Sequence, residues 1–219
     1  MMAQKGNGAP IRQPKHGQMK QHILAVARQL FITQGIDAVS YGDIAKEVGA
    51  TRANIHYHFG NKAELVNEVF ATTFAEVRGV LADIWLTPNV SLMARLDLLL
   101  ADAEARFTAY NDTAHGAGVP WSLSSRAYLG FSAMAPEVVE GIRGMSAFFE
   151  EGATHAVQLA IGTGELRPNT PVETIVLLLT PLWYFGSPIT QFSGLQRLRD
   201  HYAAVKHMIV TAYGAPPSK

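Results

Sequence analysis

The chain has 219 residues and no cysteine, which excludes disulfide frameworks, thiolate nucleophiles and thiolate zinc sites, and it is long enough to bury a core without covalent staples. Its net charge of zero hides a division. Residues 1–62 hold eight Lys/Arg against three Asp/Glu, a net of +5, leaving ten against fifteen, or −5, for the rest. Attraction to phosphate follows local charge, so this division suits a head that meets nucleic acid and a body that stays off it.

In chain order, residues 1–15 contain Gly, Pro, Gln and Lys but no apolar run. This predicts a flexible basic arm rather than a signal peptide or membrane anchor, and so a soluble cytoplasmic, nucleoid-associated protein. Lys5, Arg12, Lys15, His16 and Lys20 equip that arm either to touch phosphate or simply to solubilise the terminus. Ile23, Ala27, Leu30 and Phe31 recur at helical spacing and predict a first helix over 17–35, stopped at Gly35. Ser40 and Asp43 then read as a capping box, with Val39 stapled to Ile44, so a second helix starts at Tyr41, buries Ile44, Ala45 and Val48 and stops at Gly49. Thr51 can cap a third helix whose Ile55 and Phe59 share one inward face. Two short helices joined through a glycine turn form a helix-turn-helix signature. Asn61 and Glu64 cap a fourth helix over 62–84, predicted to bury Leu65, Val69, Phe74, Val77 and Leu81.

The remainder also reads as helix. Leu92, Leu96, Leu99, Leu100, Ala103 and Phe107 give a fifth, broken by the Gly- and Pro-containing stretch 113–120. A short helix over 121–134 precedes Pro136, which suits the first turn of a helix ending at Gly162. Segments 172–187 and 195–213 complete an all-α chain of about nine helices. The expected organisation is an arm (1–15), a helix-turn-helix domain (16–62), a helical effector-binding and dimerisation domain (63–214) and a tail (215–219). No residue from Thr174 to Gln196 is charged. Pro181, Gly186 and Pro188 interrupt that stretch and no polybasic flank accompanies it, so a homodimer surface through 172–187 and 195–213 is expected rather than a membrane span.

The segments Gln21-His22-Ile23-Leu24-Ala25-Val26-Ala27-Arg28-Gln29-Leu30-Phe31, Ser40-Tyr41-Gly42-Asp43-Ile44-Ala45 and Ile55-His56-Tyr57-His58-Phe59-Gly60-Asn61-Lys62 resemble, in order and spacing, the N-terminal domain of TetR/AcrR-type one-component transcriptional repressors. The resemblance covers about 50 residues. It implies a homodimer that binds double-stranded DNA at a palindromic operator and releases it when a small molecule enters the C-terminal domain. Ala53 stands where the family usually has Gly, and His56 where it often has Tyr.

The residues of the head support that expectation independently. The second helix of such a pair enters the major groove, and with Ile55 and Phe59 inward, Arg52, Asn54, His56, Tyr57 and His58 point outward. Arg52 suits a guanine edge and Asn54 an adenine edge, although Asn54 could instead join the Thr51 cap. Thr51, Tyr57, His58 and Lys62 fit phosphate contact, as do the free N–H groups at Tyr41 and Gly42. Tyr57 could equally pack on the neighbouring helix, and Lys62 could be merely solvated. His56 and His58, two apart on a helix, diverge too far to hold a metal.

In the body, aromatic side chains predict a cavity for a small hydrophobic or aromatic effector. On the family's architecture its expected lining is Phe107, Tyr110, Trp121, Tyr128, Phe131, Phe148 and His155. No catalytic residue, metal site or cofactor is expected, because nucleophile elbow, phosphate loop and Glu-x-x-His pair are all missing from the sequence. The competing classes are a helical-bundle enzyme and a ligand-independent architectural DNA-binding protein; a closed body core would favour the latter.

Overall fold

The computed structural model describes residues 16–111, 118–128 and 134–216, together with the backbone but not the side chains of His16 and Tyr128. Among the described residues eight helices follow in order: α1 His16–Gln34, α2 Tyr41–Val48, α3 Arg52–Phe59, α4 Lys62–Leu86, α5 Leu92–Tyr110, α6 Leu123–Tyr128, α7 Pro136–Gly162 and α8 Val172–Tyr213. The fold is all-α, and its one strand-like feature among the described residues is an antiparallel bridge between Leu166 and Gly214. The two helices expected over 172–187 and 195–213 are the two limbs of α8, joined across a kink. Its backbone stays helical through Pro181 and Pro188 and breaks at Gly194, where φ is 77°.

The head assembles through local chemistry. Ser40 caps α2 by accepting from the Asp43 N–H, while the Asp43 carboxylate accepts from the Ser40 N–H at 2.8 Å, the reciprocal pair the sequence implied. Gly49 ends α2 at φ 67°, a left-handed position where a side chain would be strained. Thr51 then accepts from the Asn54 N–H at 3.2 Å, and Asn61 from the Glu64 N–H at 3.0 Å, so α3 and α4 each start on a satisfied cap.

Packing runs continuously from the helix-turn-helix into the body. The core around Ile23, Phe31, Ile44, Ile55 and Phe59 continues into α4 through Leu65, Val69 and Phe70 and takes in Leu123, Ala127, Val138 and Ile142 from α6 and α7. A second core gathers Trp85, Leu96, Phe107, Phe149, Ile175 and Leu198. Helix α4 belongs to both. It runs two residues beyond 84 so as to bury Ile84 and Trp85, whereas Phe74 and Val77 are only half-buried. Helix α6 begins at Leu123, two residues later than expected, and is described to Tyr128; residues 129–133 of the expected 121–134 lie outside the described residues. Trp121 precedes it, fixed by its indole N–H donating to the Thr190 hydroxyl at 2.8 Å and its backbone N–H to that of Ser187 at 3.1 Å.

Two arginines, Arg95 buried and Arg126 half-buried, tie the ends of helices to their neighbours. Arg95 of α5, 1% exposed, donates to the carbonyls of Ile84 and Thr87 and so satisfies the C-terminal end of α4. Burial opposes the charged guanidinium more than the nearby Glu165 favours it, so the Arg95 pKa falls below the ordinary arginine value. The same Glu165 accepts from the N–H groups of Leu92 and Met93 at the start of α5, where a carboxylate meets the positive end of the helix. Arg126 of α6 donates to the carbonyls of Ile32 and Thr33, both at 2.8 Å, which ties the body to the end of α1.

Candidate nucleic-acid interface and body cleft

At the head surface, Tyr41, Gly42, Arg52, His56, Asn61 and Lys62 surround one open concavity of about 450 Å3. Five of these are sequence-derived DNA candidates, and the fold brings them together because the start of α2 lies across the first turn of α3. The Arg52 guanidinium rests on Gly42 so closely that a Cβ there would come within 2.6 Å of it. Arg52 also helps hold the Asp43 carboxyl below the usual carboxylate range, after the larger effect of the hydrogen bonds with Ser40. His56 places Nδ1 2.7 Å from the Gly60 carbonyl and its ring edge-on to Tyr41 at 4.6 Å. Burial, with the nearby Glu64 charge, raises the Tyr41 phenol above its ordinary value, and its hydroxyl is buried without a hydrogen-bond partner. The Lys62 ammonium donates to the Asp37 carbonyl at 3.3 Å, which holds it at the rim of the concavity.

The remaining head candidates lie elsewhere on α3. Tyr57 is 75% exposed with its ring edge-on to His58 at 5.5 Å, which answers the alternative of packing on a neighbouring helix. Asn54 is half-buried and its Oδ1 has no hydrogen-bond partner, while its backbone N–H serves the Thr51 cap. Ala53 and Thr51 are exposed at the same end of the helix.

The body candidates are not gathered into one cavity. A narrow cleft with about 60 Å3 of open space lies where α1, α4, α5 and α8 meet the approach to α6, and of the expected lining residues that are described only Trp121 borders it. Phe107 is spent on the body core, and Tyr110 borders a separate groove beside Arg28 and Glu76. Phe148 lies under the Arg78 guanidinium, 4.0 Å from its ring centroid. His155 is exposed because Gly152, Ala153, Ala156 and Val157 occupy the inward stripe of α7. The Tyr128 side chain and Phe131 lie outside the described residues. The cleft is lined instead by Arg28, Asp102, Arg106, Trp183, Tyr184 and Tyr202, among others. Sequence periodicity marked several of these as large or polar but had no means of showing that five separate segments converge.

On the outside of α8, Leu177, Phe185 and Phe192 are uncovered, Phe192 to 88%. This helix is long and apolar enough to cross a membrane, and a third of its most apolar stretch is buried within the chain. Trp183 turns the other way, stacked on Phe149 at 5.1 Å.

Residues 23–69 match the model of the family described as bacterial regulatory proteins, tetR family. Over 51 residues the chain is 47% identical to the HTH-type transcriptional regulator AcrR of Shigella flexneri, a match spanning 23% of this chain and 24% of that protein. It is 39% identical over 51 residues to QacR of Staphylococcus aureus, spanning 23% of this chain and 27% of that one. The chain thus matches about a quarter of the length of these curated relatives, confined to the head. The fold as a whole resembles Escherichia coli NemR in its reduced form, with TM-score 0.72 and 14% identity over 92% of this chain and 100% of that one. A Saccharomonospora viridis regulator solved in complex with choline is similar, with TM-score 0.72 and 15% identity over 92% of this chain and 100% of that one.

Proposed function

This chain belongs to the tetR family of bacterial regulatory proteins, and from that premise we propose that it is a repressor whose dimer grips a palindromic operator and lets go when the body takes up a small molecule. The observation that carries this reading is the concavity of the head, where the start of α2 and the residues Arg52, His56 and Lys62 face the same way. Free N–H groups at the start of α2, together with the Lys62 ammonium, make a phosphate cradle beside a helix that can lie in the major groove. Thr51, Tyr57 and His58 add flanking phosphate contacts, and Arg52 and Asn54 read base edges. The N-terminal arm, 1–15, lies outside the described residues and is assigned no contact here.

Two copies meet through the uncovered face of α8, limbs 172–187 and 195–213, about a two-fold axis. Reading helices must then lie about 34–36 Å apart to enter successive major grooves. The body controls that spacing through two connections: α4, which carries residues of both cores, and Arg126, which grips the end of α1. A ligand that fits only the displaced arrangement shifts the population away from DNA. The choline bound by the Saccharomonospora regulator supports a small-molecule site in a body of this shape.

The test uses an operator recovered by selection from random duplexes. Arg52→Ala is expected to cost about 1–3 kcal/mol on that operator and to spare non-specific DNA. Lys62→Ala should weaken both and lower the salt slope by about 1. Equal losses from Arg52→Ala on both DNAs would move Arg52 to the phosphate set, and an unchanged salt slope would remove Lys62 from it.

A further inference from the structure

The body cleft carries a charge pattern that narrows its ligand, an inference that rests on the sensor reading above. Two guanidiniums, Arg28 and Arg106, border it with a single carboxylate, Asp102. That carboxylate is already taken, 2.8 Å from Arg106 in the same helix. Arg28 pairs through Nη1 with Glu76, which is 63% exposed and lines the outer groove rather than the cleft. Its Nε is buried and has no hydrogen-bond partner. A buried donor on a cationic group left without an acceptor is costly, and an anionic oxygen is the group that satisfies it best. Around this corner the walls are aromatic, with Trp121, Trp183 and Tyr184.

We propose that the cleft binds a small planar aromatic acid, its carboxylate on the Arg28 guanidinium and its ring against Trp121 and Trp183. Aromatic walls also suit an organic cation, but the unsatisfied group here is a guanidinium donor, Arg28 Nε, and the carboxylate a cation would need is held by Arg106. The open space of about 60 Å3 is smaller than the roughly 150 Å3 cavity that admits a benzene ring. Binding therefore has to displace a wall. Trp121 leads directly into α6, and α6 holds α1 through Arg126, while Arg28 itself belongs to α1. The acid thus bears on the head from both of its ends.

The experiment titrates the full-length dimer with naphthoate, naphthalenemethanol and naphthylmethylammonium, which share a ring and differ in charge. Tryptophan fluorescence reports binding, and release of a labelled operator reports the response. Naphthoate is expected to bind at least about tenfold more tightly than the alcohol. Arg28→Gln should bring the two within about twofold while leaving the alcohol unchanged, and Glu76→Gln, which breaks the ion pair but keeps the guanidinium, should preserve the preference. The acid assignment is overturned if the alcohol or the ammonium binds as tightly as naphthoate, if the preference survives Arg28→Gln, or if no probe binds. Operator release by the alcohol or ammonium would overturn the acid while keeping the sensor. Tight, Arg28-dependent binding of naphthoate without release would keep the acid site and overturn the sensor.

Discussion

Gly42 and Arg52 put the effect of one missing methyl group at the proposed DNA-facing concavity rather than in the core of the fold. Alanine is the better helix former by about 1 kcal/mol, and the nearest atoms a Cβ at position 42 would meet belong to the flexible end of Arg52. Gly42→Ala is therefore expected to leave the melting temperature unchanged or raised, and to alter operator affinity by pushing the guanidinium off α2. A fall in melting temperature would show that the backbone there needs glycine for its own sake. Asp43, beside it, carries a pH signature. Its folded pKa is depressed, chiefly by the hydrogen bonds with Ser40, so its contribution to stability is complete above the ordinary carboxylate value near 3.9 and is lost as pH falls through the lower folded value. Asp43→Asn should flatten the acid limb of a stability-against-pH curve below about pH 4. Parallel acid limbs for the two proteins would exclude the carboxylate as its source.

At the scale of the element, α4 and α7 form the tightest pairing because glycines on α7 receive aromatic rings from α4. A Cβ at Gly152 would stand 2.5 Å from the indole of Trp85, which is wholly buried and sits edge-on to Phe149 at 5.4 Å. Gly144, on the outer side of the same helix, has nothing within 4 Å. The two positions therefore predict opposite signs for one substitution. Gly144→Ala is expected to stabilise by about 0.4–1 kcal/mol, through chain entropy and helix propensity. Gly152→Ala should cost about 1–3 kcal/mol despite the same propensity gain, because the core cannot make room. Denaturant melts of both variants decide it, and a stabilised Gly152→Ala would mean that α4 can slide on α7. The Arg95 clamp argues against such sliding, since it fixes the far end of α4 to α5.

For the whole molecule, the uncovered face of α8 is the surface proposed for the dimer. Leu177 and Phe185 point outward, whereas Trp183, on the same uncharged stretch, is committed to the interior of its own chain. Leu177→Glu and Phe185→Glu are expected to give folded monomers that bind a palindromic site weakly, since each head then pays separately for its half-site. Sedimentation at matched concentration measures the assembly, and a dimer that persisted in both variants would relocate the interface. Trp183→Glu is the contrasting control, because it should disturb the body core and the cleft as well.

The sequence by itself determined the head: the Ser40–Asp43 box, the Gly49 turn, the Thr51 and Asn61 caps and the inward pair Ile55 and Phe59 all occupy the structure as their spacing implied. These are contacts within a few residues, set by backbone geometry that a short window of sequence contains. Existence and order of the body helices were legible for the same reason, since apolar periodicity needs no partner to be recognised. Tertiary structure alone decided which aromatic side chains meet. Phe107, Phe148 and His155 share helical stripes with residues that line other spaces, and only the rotation of α5 and α7 against their neighbours assigns each to core, surface or cleft. It also decided that Arg52 lies over Gly42, that α4 is shared between two cores, and that Arg28 from the head closes the body's cleft. Each of those depends on chain segments tens of residues apart, whose meeting is fixed by the packing of the whole and leaves no local periodicity behind.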